Sequence, residues 1–214
     1  FFRLAPLTHA ATRGFRTLSF PPPRDASMQP IATKLPQVGT TIFTVMSQLA
    51  MQHGAINLGQ GFPAFPVPAR LVDELEKAMR TGFNQYSMMT GIPALRRAIA
   101  EKTARVYGVL PDADREITVT SGATEAIFNA IQAVVRAGEE VIVLDPCYDC
   151  YEPAIDLAGA RAVHIPLDPQ TFAPDWQRVR DAIGPKTRML MINSPHNPSG
   201  AMLTAEDMAI VADL

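Results

Sequence analysis

The chain has no apolar run approaching the ~20 residues that a membrane-spanning helix needs, so no membrane partner is expected. It also lacks an excess of either charge. Nineteen Lys and Arg stand against 21 Asp and Glu in 214 residues, a net charge of -2, so there is no basic footprint for nucleic acid. Cysteine is scarce: Cys147 and Cys150 alone occur, too few to close a four-ligand zinc site by themselves. Their Cys-x-x-Cys spacing after a strand keeps a thiol-redox module as an alternative, although Asp145, Tyr148 and Asp149 beside them do not favour thiolates. Two nucleotide signatures are missing as well. Gly59-Gln60-Gly61 runs into Phe62-Pro63 instead of a third glycine at a helix start, and no Gly-Lys-Ser/Thr follows Ser121-Gly122. There is no internal repeat and no low-complexity tract.

What is present is a globular composition, 47% apolar and 19% charged, in a chain long enough for a sizeable core. Residues 1–27 stand apart, with four arginines (Arg3, Arg13, Arg16, Arg24) against one acid, Asp25, and Pro21, Pro22 and Pro23 in a row. They read as a disordered leader outside the fold. If they are a transit peptide the protein is mitochondrial; if the native start is Met28 it is cytoplasmic, which is the expectation here.

Helical spacing of Ile42, Met46, Leu49 and Ala50 predicts a helix over Thr40–His53, and Ala55–Leu58 reads as a short strand. Leu71, Leu75, Ala78 and Met79 predict a helix over Val67–Thr81. Leu95, Ile99 and Val106 predict another opened by Pro93, and these stripes are expected to face a core. Beyond Asp112 strands and helices alternate. Predicted strands Ile117–Thr120, Val141–Leu144, Ala162–Ile165 and Arg188–Ile192 are separated by helices Ala123–Arg136, Asp149–Ala158 and Asp175–Ile183, and Thr204 starts a last one. The fold class is therefore α/β, a mainly parallel sheet flanked by helices, with the turns that follow the strands on one edge.

Three of those turns carry chemistry. Thr120-Ser121-Gly122-Ala123-Thr124-Glu125 puts hydroxyls and a glycine at a helix start, where free amides and the helix dipole suit a phosphate. Asp145-Pro146-Cys147-Tyr148 can hold an aromatic ring flat against a planar heterocycle. Asn193-Ser-Pro-His-Asn-Pro-Ser-Gly200 fixes a rigid rim and offers the neutral amide of Asn197. Together they suit a flat phosphorylated cofactor.

These residues resemble the fold type I, pyridoxal-phosphate-dependent aminotransferases of class I, from about Ile31 to the last residue. Gly39-Thr-Thr-Ile-Phe-Thr, Asn57-Leu-Gly-Gln-Gly-Phe-Pro, Asn84-Gln-Tyr, Thr118-Val-Thr-Ser-Gly-Ala-Thr-Glu-Ala and Pro195-His-Asn-Pro-Ser-Gly carry the resemblance. The first two look most like the branch of methionine aminotransferases and kynurenine-glutamine transaminases. The resemblance implies that Gly122 and Ala123 give amides to the cofactor phosphate, with hydroxyls of Ser121 or Thr124 beside them. It implies that Tyr148 stacks on the ring, that Asn197 donates to the ring's phenolic oxygen and lines the substrate site, and that Gly61 lies close to the substrate carboxylate. Tyr86 would reach the phosphate of a neighbouring subunit in a homodimer. Asp145-Pro146 and Asn197-Pro198 resemble positions that can be cis. Residues 28–60 would form the N-terminal arm and part of a small α/β domain, and 61–214 the first half of the large cofactor-binding domain.

By the same resemblance the Schiff-base lysine, the acid facing the ring nitrogen and the arginine for the substrate carboxylate fall beyond Leu214, so no catalytic residue is assigned. Lys34, Lys77, Lys102 and Lys186 match no such position. The chain reads as a fragment, inactive alone, whose incomplete sheet leaves an open edge. For the parent protein the resemblance implies transamination between an amino acid of apolar side chain and a 2-oxo acid. The alternatives are a carbon-sulfur β-lyase or other lyase on the same fold, and a non-catalytic remnant. Ile42, Phe62 and Phe65 are candidates for an apolar side-chain pocket.

Overall fold

The computed structural model describes residues 31–61, 63 and 65–214. The predicted leader and Phe62 therefore lie outside the described residues. Every helix and strand described lies within Lys34–Leu214.

Three helices come first: α1 (Ile42–His53), α2 (Ala69–Arg80) and α3 (Pro93–Tyr107). Thr41 caps α1 by accepting from the Thr44 amide, and Pro93 occupies the first turn of α3. There follow α4 (Gly122–Val134), β1 (Glu140–Asp145), α5 (Tyr151–Leu157), β2 (Arg161–Pro166), α6 (Trp176–Ala182), β3 (Thr187–Met191) and α7 (Ala205–Asp213). The three strands form one parallel sheet in the order β2-β1-β3, as the alternating pattern predicted.

Strand β1 is apolar throughout because both of its faces are covered. Val141 and Val143 point into a cluster with Ile131, Val135, Tyr151, Ala154 and Ile155 from α4 and α5. Ile142 and Leu144 point the other way, into a cluster with Ile165, Leu167, Trp176 and Val179. Helix α7 is held to that second layer by Asp207. Its carboxylate accepts from Trp176 Nε1 at 2.7 Å and, in a capping box, from the Thr204 amide at 2.8 Å. These bonds keep the Asp207 carboxyl below the usual carboxylate range.

Two predicted strands are not formed. Ala55–Leu58 and Ile117–Thr120 carry no regular structure, and neither has a ladder partner among the described residues. The second is fastened instead by the Val119 amide donating to Thr90 O at 3.0 Å, beside Gly91. A Cβ at Gly91 would lie 2.6 Å from Val119 Cγ2, and its φ is +101°, so glycine is required there on both counts.

The early helices also differ from expectation. They form where predicted, yet neither α1 nor α2 buries a residue. Leu71 and Leu75 are 61% and 62% exposed, and Leu95 and Val106 are exposed as well. The periodic stripes are real, but the described chain covers them only in part, as at Ala50 and Ile99, which are half-buried. Replacing Ile142, fully buried, by alanine is expected to cost about 2–5 kcal/mol in urea unfolding. Leu75→Ala is expected to change stability by no more than about 0.5 kcal/mol, since its side chain already meets solvent.

Candidate functional site

Because the strands are parallel, the segments leaving β1 and β3 emerge on the same edge of the sheet. The turn after β1 carries Tyr148, whose ring meets that of Tyr151 edge to face at 5.8 Å between centroids. Tyr148 also reaches the start of α4, where its hydroxyl lies 3.2 Å from Thr124 Oγ1. So the first and second predicted turns are adjacent, even though no strand precedes the first.

The start of α4 is solvent-exposed from Ser121 to Glu125. Gly122 has φ +83°, and its amide donates to Thr120 O at 2.9 Å, making a tight turn ahead of the helix. The Ser121 amide donates to the Glu125 carboxylate, while the Ser121 hydroxyl caps nothing. Ahead of the intrahelical ladder stand the amides of Ala123 and Thr124, at the positive end of the helix dipole.

The third turn is tied down from within. The His196 amide donates to Ala201 O at 2.8 Å and the Gly200 amide returns to His196 O at 2.6 Å. The His196 ring is buried, with Nδ1 2.7 Å from Ser199 Oγ, and it hydrogen-bonds the Leu144 carbonyl at the end of β1. A neutral imidazole serves both contacts, accepting from the serine and donating to the carbonyl. Burial accordingly pushes its pKa down. Asn193 Nδ2 donates to Tyr151 OH at 3.5 Å. With its frame so held, Asn197 is exposed. Peptide bonds 145–146 and 197–198 are cis, as expected, and so is 194–195.

Asn197 and Pro198 share a cleft of about 590 Å3 with Tyr148, Asp149, Phe43, Leu58, Gly59, Gln60 and Gly61. The glycine segment reaches it through side chains that sequence reading did not single out. Asn57 Oδ1 accepts from the Gly59 amide at 3.0 Å, and Asn57 Nδ2 donates to Ser47 Oγ on α1 at 3.0 Å. Ser47 in turn donates to Gln60 Oε1 at 3.3 Å. Asn57 stands inside a quoted motif, which was the available signal for this network. The apolar wall is Phe43 and Leu58; Ile42 and Phe65 do not line the cleft and are 64% and 75% exposed. One position along α1 turns a side chain by about 100°, enough to exchange Ile42 for Phe43. Tyr86, in the loop between α2 and α3, is fully exposed and is not among the lining residues.

Cys147 and Cys150 are free thiols. The Cys147 pKa is pushed up to about 12, first by burial and then by the Asp145 carboxylate that accepts its hydrogen bond. Cys150 is raised too, by burial and the charge of Asp149. A redox pair needs an accessible thiolate, and this setting opposes one.

The aminotransferase class I and II family model matches residues 53–214. The chain belongs to this aminotransferase family. It is 53% identical over 177 residues to methionine aminotransferase of Escherichia coli, covering 83% of this chain and 46% of that protein. It is 36% identical over 194 residues to kynurenine–oxoglutarate transaminase 3 of Rattus norvegicus, covering 86% and 43%. The solved structure of an Escherichia coli protein with methionine aminotransferase function superposes with a TM-score of 0.82 at 52% identity, over 85% of this chain and 48% of that one. The chain thus spans about half the length of the relatives it matches. Aminotransferases of this family use pyridoxal phosphate, and the parallel α/β fold is that of their fold type I structures.

The donor set suits that cofactor. Exposed amides and hydroxyls at a helix start match a phosphate, the Tyr148 ring offers a flat face, and Asn197 is a neutral donor at the cleft. Because folding lowers the His196 pKa, the unfolded chain takes up a proton first. Stability is therefore expected to fall as pH drops below about 6.5, in a step absent from His196→Asn when the two are compared by thermal melting across pH 5–8.

Proposed function

We propose that this aminotransferase chain supplies one wall of a cofactor and substrate site. The whole protein exchanges an amino group between an amino acid of apolar side chain, methionine or an aromatic one, and a 2-oxo acid. The observation that carries the reading is the single cleft shared by Tyr148, Asn197 and Gly61, with Tyr148 touching Thr124 at the start of α4.

The roles follow from the positions. The amides of Ala123 and Thr124, with the hydroxyls of Ser121 and Thr124, bind the phosphate. Gly122 provides the positive-φ turn, its own amide being engaged by Thr120. Tyr148 fixes the plane of the ring. Asn197 donates to the phenolic oxygen without bringing a proton that competes for it. Gly61, which has no side chain to intrude, brings backbone next to the substrate carboxylate, and Phe43 and Leu58 face the apolar side chain. When bound, the cofactor supplies an electron sink for the substrate's α-carbon.

The proton relay needs a lysine, and none lines the cleft among the described residues. Lys77 and Lys102 lie on α2 and α3, and Lys186 precedes β3 on the opposite edge. The chain alone therefore does not transaminate. The rest of the proposal is a homodimer in which Tyr86 serves the neighbouring subunit's phosphate, with residues 28–60 as arm and small-domain segment and 61–214 within the large domain. No described helix is long and apolar enough to cross a membrane. The location proposed is the cytoplasm, or the mitochondrion if residues 1–27 act as a transit peptide.

With the purified chain, pyridoxal phosphate is expected to bind reversibly and to leave no stoichiometric borohydride-reducible label on any of the four lysines. Asn197→Ala or Tyr148→Ala is expected to weaken binding about tenfold to a hundredfold, and Leu75→Ala not to change it. Stoichiometric label on Lys34, Lys77, Lys102 or Lys186 would refute the assignment of roles.

A further inference from the structure

Beside Tyr148, at the end of β1, three different ligand types meet. A carboxylate oxygen of Asp145, Sγ of Cys147 and a ring nitrogen of His164 all lie within 4.8 Å of one another. Their meeting is a product of the fold. Asp145 ends β1, Cys147 follows it by two residues, and His164 stands opposite Val143 on the parallel strand β2.

The bonds already present converge on Asp145. Its Oδ2 lies 2.8 Å from His164 Nδ1, and its carboxylate also accepts from the Cys147 thiol. The other ring nitrogen, Nε2, faces Glu152 Oε1 at 3.7 Å. Among the described residues neither Asp145 nor Glu152 is paired with a lysine or arginine, and Asp149 close by has no ion-pair partner. The cluster is therefore an uncompensated negative patch carrying one sulfur and one nitrogen donor.

We propose that Asp145, Cys147 and His164 bind a divalent transition-metal cation of borderline softness, of the zinc type. Asp145 gives a carboxylate oxygen, Cys147 its thiolate and His164 its Nδ1, with water completing the tetrahedron. The Nε2 proton then goes to Glu152, the outer carboxylate that metal-bound histidines commonly have. The thiol proton leaves to solvent, and the cation takes the place of the hydrogens now shared with Asp145.

Bond lengths of about 2.0–2.3 Å put tetrahedral ligand atoms roughly 3.3–3.8 Å apart. The Asp145–His164 pair would open by roughly half an ångström to an ångström while Cys147 closes in, which χ rotations accommodate. Magnesium and calcium are disfavoured, because two of the three donors are not oxygen. Occupancy would pin the turn that carries Tyr148. The proposal does not depend on the family assignment.

The test uses the purified chain, stripped with chelator and free of pyridoxal phosphate, titrated with Co2+. One equivalent is expected to give tetrahedral visible bands and a thiolate-to-cobalt charge-transfer band, both abolished by Zn2+ and indifferent to excess Mg2+. Cys147→Ser is expected to remove the charge-transfer band. His164→Gln, a change at a partly exposed side chain, should weaken Co2+ binding at least about tenfold and decides the matter should Cys147→Ser not fold. Cys150→Ser should leave the spectrum intact. Absence of the charge-transfer band at one equivalent, its survival in Cys147→Ser, its loss in Cys150→Ser, or unchanged affinity in His164→Gln would each overturn the proposal.

Discussion

The pairing of β1 with a strand on each side is the constraint on which the rest of the structure depends. A strand hydrogen-bonded along both edges and covered on both faces has no polar backbone left to satisfy and no surface left for water. Its four consecutive apolar residues, Val141 to Leu144, are what make that position tolerable. Each buried side chain contributes roughly 1.5–3 kcal/mol. Alternation then divides them between two clusters, one built with α4 and α5 and one with α6. Because both neighbours run parallel to β1, everything that follows a strand is delivered to a single edge.

Co-location is not enough to make a site, and the edge is stiffened by bonds that cross between elements. His196 links the third turn to the end of β1, Asn193 links it to Tyr151, and Thr124 links the start of α4 to Tyr148. The residues that do this fastening are buried or engaged. Asn197 is left exposed at the cleft, in a loop whose own bonds keep it from collapsing. Rigid frame and available donor are thus separate residues in the same eight-residue stretch.

Much of this was legible in the sequence, for identifiable reasons. A continuous apolar run bounded by turn residues is a strong mark of a strand buried on both faces, and Val141–Leu144 was read correctly. Ile117–Thr120 looks equally strand-like, being β-branched at all four positions, but a ladder needs a neighbour, and local pattern carries no information about one. The stripes on α2 and α3 likewise announced helices correctly while saying nothing about what, if anything, covers them. The turns were legible because Gly, Pro and hydroxyl residues act locally. The Asn57–Ser47–Gln60 network, the His196 anchor and the meeting of Asp145 with His164 were not, since each depends on a register or a packing distance between separate segments.

Acidic side chains then divide the edge into chemically different halves. At the start of α4, Glu125 is turned back onto the Ser121 amide, and the hydroxyls and first-turn amides face outward as donors for an anion. Around the end of β1 the charges reverse: Asp145, Asp149 and Glu152 gather without lysine or arginine partners among the described residues. That field, together with burial, is what keeps Cys147 protonated. It would also repel an anion placed beside it. Two neighbouring parts of one edge thus differ in kind: the amides and hydroxyls at the start of α4 favour an anion, and the carboxylates around the end of β1 favour a cation.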